Sequence, residues 1–273
     1  MPAAFDNMAE VARVNPRCNF LHLKLNLEKS EAAMTSPSDD TYKNDDTRIQ
    51  AGTKRKLFIS IAGNIGSGKS SLTRLLSEHF GWIPFYESVD DNPYLPDFYG
   101  DMKRWSFHLQ VYFLSNRFMN HKNILEMPES VVQDRSIYED VEIFARNLHD
   151  MGNMDDRDYK NYRELFAIMV DYLKPPDLLI YLRANIETLL RQIKLRGRSY
   201  EQSIGRSYLE LLNASYENWI RRYEATTGRL LIIESDDLDF VNNSGHLGDI
   251  ISKVETALSP VKQMRAGDSQ LAG

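Results

Sequence analysis

The sequence has little cysteine, no excess of basic residues and no long apolar run. Its single cysteine, Cys18, excludes an internal disulfide and a cysteine-based zinc site, and it suits a reducing compartment. Lys and Arg number 33 against 39 Asp and Glu, for a formal net charge of −6, whereas proteins that bind nucleic-acid backbones usually carry a basic excess. No apolar run reaches the roughly 18 residues of a membrane-spanning helix. From these three features together we expect a cytoplasmic protein without nucleic-acid or membrane partners.

The 273 residues divide by composition into three parts. Residues 1–53 form an N-terminal extension that we expect to be disordered, because residues 30–52 are polar and show no periodicity. Before that polar stretch, alternate positions from Leu21 to Leu27 are leucines, so an added edge strand or a partner-binding segment are alternatives. Residues 54–258 form the predicted folded domain, and residues 259–273 form a C-terminal tail.

Short apolar segments alternate with helical patterns along the predicted domain. The strands are predicted over 57–63, 83–87, 130–134, 177–182 and 229–234. A helix with Leu72, Leu76 and Phe80 on one face follows the first strand and stops at Gly81. Further helices are predicted over 101–126, 136–148, 155–173, 185–195, 206–226 and 247–258. This alternation predicts an α/β fold, a five-stranded parallel sheet flanked by helices.

The first predicted strand runs directly into a glycine-rich loop and a helix. The loop matches the pattern G-x-x-x-x-G-K-[ST], in which backbone N–H groups and a helix N-terminus surround a phosphate. Lys69 can reach the β- and γ-phosphates, and the Ser70 hydroxyl can bind Mg²⁺. A glycine-rich turn without a ligand is the alternative, which the complete motif in this context disfavours. The predicted nucleotide-binding residues are Gly63, Asn64, Ile65, Gly66, Ser67, Gly68, Lys69, Ser70 and Ser71.

An acidic residue at a strand end is needed to complete a magnesium site. Asp134 follows the third predicted strand, and Glu234 follows a more apolar run in the fifth. Asp134 is favoured, because the third strand normally lies beside the phosphate-binding strand in compact P-loop kinases. We therefore predict Ser70 and Asp134 as the metal ligands. A surface ion pair or a helix cap is the alternative interpretation of Asp134 and its neighbour Arg135.

Several sequence blocks together resemble the deoxynucleoside kinase family, and most of all its bacterial deoxyadenosine/deoxyguanosine kinases. The resemblance covers residues 55–258 and rests on the P-loop and on residues 85–95, 98–117, 131–145, 174–182 and 195–204. It implies a P-loop kinase fold with a lid loop, ATP as phosphate donor, Mg²⁺ as cofactor, a deoxynucleoside as substrate and a homodimer. The motif at 134–136 is Asp-Arg-Ser here, where the family often has Glu-Arg-Ser.

The resemblance also implies roles for individual residues at the site of phosphate transfer. Glu87 corresponds to the general base that accepts the proton of the 5′-hydroxyl, and Arg135 to the arginine that contacts this base and the transferring group. Lys69 completes the predicted catalytic set. Tyr99 and Glu201 correspond to the pair that binds the sugar 3′-hydroxyl. The alternatives are a helix-capping or solvated position for Glu87, core packing for Tyr99 and a solvated loop position for Glu201.

The remaining implied residues bind the base and the donor. Gln110 and Arg117 are seven residues apart on the long helix and so share one face; with Asp140 they correspond to the residues that read the base. Arg196 and Arg198 correspond to the lid arginines that bind the donor phosphates. Solvent-exposed positions are the alternatives for these three arginines. Asp239 and Phe240 lie in the segment that resembles the donor-adenine loop.

The base preference follows from the Arg117 and Asp140 pair together with the resemblance. Adenine and cytosine present an amino group beside a ring-nitrogen acceptor, which suits a carboxylate beside a guanidinium, whereas thymine has no amino group. We expect deoxyadenosine to be the best substrate, deoxyguanosine or deoxycytidine the next, and thymidine the poorest.

Two other functions are the alternatives to a deoxynucleoside kinase. A nucleoside monophosphate kinase needs a larger cationic acceptor site. A catalytically silent structural subunit should lack one of Lys69, Glu87 and Arg135.

Overall fold

A computed structural model describes residues 55–86, 92–198, 201, 204–227 and 229–267. The extension predicted over 1–53 lies outside the described residues. In chain order the elements are β1 (Phe58–Gly63), α1 (Lys69–Phe80), β2 (Ile83–Phe85), α2 (Leu95–Gly100), α3 (Met102–Glu126), β3 (Val131–Asp134), α4 (Ile137–Glu139), a π-helical segment (Asp140–Ala145), α5 (Arg146–Asp150), α6 (Asp156–Val170), β4 (Leu178–Arg183), α7 (Ile186–Arg196), α8 (Arg206–Thr227), β5 (Leu230–Glu234) and α9 (Ser244–Gly267). None of the described helices is long and apolar enough to cross a membrane.

The strands form a five-stranded parallel sheet in the order β2-β3-β1-β4-β5. The central strand β1 is buried along its whole length, as its continuous apolar run predicts. Ile61 of β1 lies opposite Asp134 of β3, so the end of β3 comes beside the start of the glycine-rich loop. The predicted fold class is confirmed, and so are the position of the third strand beside the first and of the fifth at the edge. Parallel strands gather their carboxyl ends at one edge, where α/β folds bind ligands.

Helices cover both faces of the sheet. On one face, Leu72 and Leu76 of α1 pack with Ile59 and with Val254 of α9. On the other face, α8 packs Tyr216 and other apolar residues against β1 and β4. Each fully buried side chain of this kind stabilises the fold by about 1.5–3 kcal/mol. The strand that leads into the glycine-rich loop is therefore held from both sides.

The long helix α3 is anchored at both ends. Asp101 caps its start by accepting a hydrogen bond from the backbone N–H of Arg104 at 3.0 Å. At its other end, the ammonium group of Lys56 donates to the carbonyl oxygens of Ile124 at 2.6 Å, Leu125 at 3.0 Å and Met127. These contacts fix the helix that carries Gln110 and Arg117, both of which are buried.

Four elements differ from the sequence prediction. The helix predicted over 136–148 is divided by the π-helical segment, a feature that often marks functional sites. The short helix α2 was not predicted, and β2 ends at Phe85 rather than at 87. The last helix extends to Gly267, well past its predicted end at 258 and into the predicted tail, where residues 262–266 are strong helix formers.

Candidate active site

The loop between β1 and α1 depends on glycine at two positions. Gly66 and Gly68 have φ angles of 83° and 93°, in the left-handed region. A Cβ atom on Gly66 would lie 2.8 Å from Ile193 Cγ1 on α7, and one on Gly68 would lie 3.0 Å from the Phe240 ring. The loop ends at the N-terminus of α1, where free backbone N–H groups and the helix dipole favour a phosphate.

The side chain of Asn64 braces this loop against α8. Its amide nitrogen donates to Leu209 O at 3.0 Å and to Asn213 Oδ1 at 2.6 Å, and its amide oxygen accepts from the Ile65 N–H at 2.7 Å. Asn64 is one of the predicted nucleotide-binding residues, and its side chain is engaged within the protein. Asn213 on α8, a residue that the sequence did not single out, completes this contact.

The lysine and serine of the loop motif lie close to Asp134, at the ends of β1 and β3. Lys69 Nζ donates to the carbonyl oxygens of Gly63 and Asn64 at 2.9 Å each. The Ser70 hydroxyl donates to Asp134 Oδ2 at 2.5 Å. Asp134 Oδ1 is buried and has no hydrogen-bond partner among the described residues. The predicted metal ligands are therefore adjacent, and one carboxylate oxygen is available beside the phosphate loop.

Glu234, the alternative acid, is far less suited to a metal site. It ends the edge strand β5, two strands from β1, and pairs with Arg183 at 2.6 Å. The apolar run that made Glu234 attractive reflects the packing of the half-buried strand β5 against helices on both faces rather than proximity to the phosphate loop.

Arg135 follows β3 in an unusual backbone conformation. Its φ of 65° lies in the left-handed region, and the side chain is 4% exposed. The guanidinium donates to the Tyr216 hydroxyl at 2.7 Å and lies 4.5 Å from the centre of the Phe144 ring. Tyr216 on α8 is a contact that the sequence did not predict, because an aromatic residue on a helix is more often simple core packing.

A cavity of about 290 Å³ opens beside Lys69 and Arg135. Of the residues predicted for the acceptor, Tyr99, Gln110, Asp140 and Glu201 line it. The other lining residues include Ile65, Gly66, Ser70, Tyr86, Leu95, Phe98, Leu109, Phe113, Asp134, Phe144, Arg196, Arg198 and Tyr208. Its wall combines apolar and aromatic side chains with several polar and charged groups, as a site for a small polar molecule requires.

The predicted base-reading pair forms a buried contact. Arg117 Nε lies 2.6 Å from Asp140 Oδ2, and both side chains are at most 5% exposed. Arg117 Nη1 also donates to the backbone carbonyl of Arg135 at 3.1 Å. Gln110 also lies on α3 and lines the cavity. Its side-chain oxygen is buried and has no hydrogen-bond partner among the described residues. Gln110 and Asp140 therefore line the cavity, and Arg117 contacts Asp140 without lining it.

The lid arginines and the predicted sugar-binding glutamate contact one another. Arg196 donates to Glu201 Oε2 from Nε at 2.9 Å and from Nη2 at 2.5 Å. Arg198 Nη1 lies 3.5 Å from Glu201 Oε1. Glu201 is only 5% exposed, so it is not the solvated loop acid that was the alternative. The sequence analysis assigned the two arginines to the donor phosphates and Glu201 to the sugar, and it did not predict that they pair.

A second cavity adjoins the P-loop and the segment after β5. Gly66 to Ser71, Arg191 and the lid arginines line it together with Asp239 and Phe240. The Asp239 carboxylate accepts hydrogen bonds from the backbone and side chain of Asn242, which lower its pKa. Phe240 is 6% exposed and packs on Gly68. The two predicted donor-loop residues are therefore beside the P-loop.

Two further observations concern proton transfer at the site. The predicted general base Glu87 lies outside the described residues, between Tyr86 and Asn92. Burial raises the pKa of Tyr208 to about 12 and that of Tyr216 well above its usual value of 10. Both phenols therefore remain protonated at neutral pH and act as hydrogen-bond donors rather than bases.

The parallel sheet, the glycine-rich loop and the adjoining acceptor cavity define a P-loop kinase. A sequence profile of the deoxynucleoside kinase family matches residues 59–259. The chain belongs to the deoxynucleoside kinase family.

Characterised relatives cover most of the folded part. The chain is 44% identical over 203 residues to the deoxyadenosine/deoxycytidine kinase of Bacillus subtilis. The aligned region covers 74% of this chain and 93% of the relative. It is 39% identical over 213 residues to the deoxyadenosine kinase of Lactobacillus acidophilus, across 74% and 97% of the two chains. A solved structure of the deoxyadenosine kinase from M. mycoides, with the products dCMP and a flexible dCDP bound, matches with a TM-score of 0.66 at 32% identity, across 73% and 100% of the two chains.

Proposed function

We propose that the chain transfers the γ-phosphate of ATP to the 5′-hydroxyl of a deoxynucleoside, which yields ADP and the 5′-monophosphate. The observation that carries this function is the single cavity that Lys69 and Ser70 share with Gln110 and Asp140. The phosphate loop thus lies beside groups suited to a neutral base. The enzyme is an ATP-dependent deoxynucleoside kinase.

We propose Mg²⁺ as the cofactor, held by Ser70 and Asp134. The buried, unpartnered Oδ1 of Asp134 supports this assignment, because Mg²⁺ is commonly held by one or two protein oxygens together with phosphate oxygens. No larger cluster of metal-ligating side chains occurs among the described residues, which suits an ion bound jointly with the nucleotide. Ser70 and Asp134 would hold the ion, which would offset negative charge on the donor phosphates.

Charge on the transferring phosphate is offset by cations that the chain itself supplies. Lys69 lies at the loop, Arg135 at the end of β3, and Arg196 and Arg198 on the lid side of both cavities. Fixed charges in a site shielded from water stabilise a transition state more than the same charges do in water. Glu87 accepts the proton of the attacking 5′-hydroxyl in this proposal.

Sugar recognition is assigned to Tyr99 and Glu201. Tyr99 lines the cavity with its ring packed on Phe98, and Glu201 is buried against the lid arginines. Binding of the 3′-hydroxyl by Glu201 would therefore alter a contact of Arg196. Acceptor binding and the position of the lid are linked through this carboxylate.

Base recognition is assigned to Gln110, Asp140 and Arg117, with deoxyadenosine preferred. The Bacillus subtilis relative is named for adenine and cytosine nucleosides, the two bases that share an amino group beside a ring-nitrogen acceptor. Structures of the M. mycoides relative hold dATP or dCTP. A preference for deoxyguanosine or deoxycytidine is the alternative.

The decisive experiment measures ADP release with each of the four deoxynucleosides at saturating ATP and Mg²⁺. We expect kcat/KM to be highest for deoxyadenosine and lowest for thymidine. Deoxycytidine in first place would keep the pocket and change only the preferred base, whereas thymidine in first place would overturn the pocket. A catalytically silent relative would release no ADP in response to any nucleoside.

We also propose that the chain is a homodimer in the cytoplasm. The neighbouring helices α3 and α6 expose Met119, Leu165 and Ile168, and Tyr172 beside them is 77% exposed. Light scattering should give twice the mass of one chain, and Ile168→Glu should give the mass of one. A wild-type monomer at micromolar concentration would refute the dimer.

The kinase domain is proposed to begin near residue 54. The family match starts at residue 59 and the described residues start at 55. A chain that lacks residues 1–50 should therefore retain its thermal midpoint and kcat. Loss of either would show that the extension contributes to the folded enzyme.

A further inference from the structure

A fully buried carboxylate, that of Glu139, lies against Arg135. Its Oε2 accepts a hydrogen bond from the Ser136 N–H at 2.8 Å. Its Oε1 accepts from the Tyr216 hydroxyl at 2.8 Å, and Arg135 Nη1 lies 3.5 Å from the same oxygen. The backbone N–H of Gly63, the first residue of the P-loop, donates to Oε1 at 3.4 Å. One carboxylate therefore joins the ends of β1 and β3 to α8.

Helix capping alone does not explain this arrangement. Glu139 and Ser136 do form a capping box at the start of α4. A capping box also forms on exposed helices, whereas burying a carboxylate is strongly unfavourable unless a cation balances it. Glu139 is 0% exposed, and the buried cation beside it is Arg135. A helix cap alone therefore does not account for burying Glu139 and Arg135 together.

Arg135 is the residue that needs to be held. It is the one non-glycine residue with a positive φ in the part of the chain that the structure describes, a conformation in which the Cβ atom crowds the backbone. The Tyr216 hydroxyl accepts a hydrogen bond from Arg135 Nη1 at 2.7 Å and donates one to Glu139 at 2.8 Å. This hydroxyl therefore bridges the guanidinium and the carboxylate. The Phe144 ring contacts the same guanidinium. These contacts leave the side chain little freedom to turn.

We propose that Glu139 is a positioning residue for phosphate transfer, which acts through Tyr216 to hold the Arg135 guanidinium toward the cavity. The inference rests on the role proposed above for Arg135. Glu139 does not line either substrate cavity. Its loss should therefore lower kcat while leaving the KM values for both substrates almost unchanged, as expected for an interaction that matters only in the transition state.

The first test compares two variants with a matched control. Glu139→Gln keeps the size of the side chain and removes its charge, and Tyr216→Phe removes only the bridging hydroxyl. Tyr181→Phe is the control, because Tyr181 stacks on Tyr216 and donates to a different glutamate, Glu217, at 3.1 Å. We expect kcat to fall about 10- to 100-fold in both variants, with KM within about threefold of wild type. The control should retain kcat.

A double-mutant cycle separates positioning from a purely structural role. In an Arg135→Ala background, adding Glu139→Gln should change kcat by less than about twofold, because the group that Glu139 positions is gone. It should also raise the thermal midpoint, since the stranded buried charge is removed. An equal loss of kcat in both backgrounds, or a Tyr216→Phe enzyme that behaves like the control, would overturn the proposal. Wild-type kcat in Arg135→Ala alone would instead overturn the proposed role of Arg135.

Discussion

Replacing Asp140 by Asn should reveal both the structural and the recognition role of the buried pair. The carboxylate lies 2.6 Å from Arg117 Nε, with both side chains at most 5% exposed. Removing one partner of such a pair costs about 3–5 kcal/mol of unfolding free energy, because the other charge stays buried. For a domain of this size, 1 kcal/mol corresponds to about 2–4 °C. The thermal midpoint should therefore fall by about 6–20 °C.

The same segment offers a control at equal distance and different burial. Glu142 lies 2.6 Å from Arg222, with side chains 38% and 51% exposed. Because exposed pairs contribute about 0–1 kcal/mol, Glu142→Gln should have little effect on the thermal midpoint. Adding Arg117→Met to Asp140→Asn should restore much of the lost stability, since it removes the stranded cation. Equal effects of Asp140→Asn and Glu142→Gln would refute the burial argument.

The effect on substrate choice is a separate measurement. A hydrogen bond between the adenine amino group and a carboxylate is worth about 1.5–3 kcal/mol. Asp140→Asn should therefore lower kcat/KM for deoxyadenosine about 10- to 150-fold, at about 1.4 kcal/mol per factor of ten. Thymine has no amino group and therefore makes no such contact with Asp140. The ratio of kcat/KM for deoxyadenosine to kcat/KM for thymidine should therefore decrease. An unchanged ratio would mean that Asp140 stabilises the fold without reading the base.

Three further outcomes are expected. Glu87→Gln should lower kcat by about 10² to 10⁴ with nucleoside affinity little changed, and a normal kcat would remove Glu87 from the mechanism. Gly66→Ala should raise the KM for ATP and lower the thermal midpoint, because a Cβ there meets α7 at 2.8 Å; Gly81→Ala shares a positive φ but meets no atom within 4 Å, so equal effects would contradict the steric argument. Hydrogen bonding to Asp156 raises the pKa of His149, so His149 stabilises the fold below about pH 6.5 and loses that contribution as pH rises through its folded pKa. His149→Asn should accordingly lower the unfolding free energy more at about pH 5.5 than at about pH 8.5, and unfolding titrations that show no difference would argue against the contact.

The sheet and the phosphate loop could be predicted because their signals are local. A buried parallel strand is a continuous apolar run, and a P-loop has its glycines, Lys69 and Ser70 at fixed spacing. The position of Asp134 beside Ser70 then follows from strand order. The π-helical segment after Glu139 could not be read in this way, because its residues have ordinary helical periodicity and its irregularity arises from packing.

The contacts around Arg135 were missed for a different reason. Ser136 and Glu139 have the spacing of a capping box, which is a sufficient local explanation for both residues. Tyr216 lies 77 residues further along the chain than Glu139, and it looks like core packing on an amphipathic helix. Only the tertiary structure shows that a helix cap, the arginine after β3 and helix α8 share one buried carboxylate.

The hydrogen bond from Arg117 to the backbone carbonyl of Arg135 has a kinetic consequence. The same guanidinium meets Asp140, so under the proposed base recognition an acceptor that displaces Asp140 would also disturb the peptide that carries Arg135. A poorly matched nucleoside is then penalised in turnover as well as in affinity. With one nucleoside supplied alone, a difference in KM disappears at saturation, whereas a penalty in kcat persists. When nucleosides compete, the two penalties multiply in the ratio of their kcat/KM values, which sets the choice between bases.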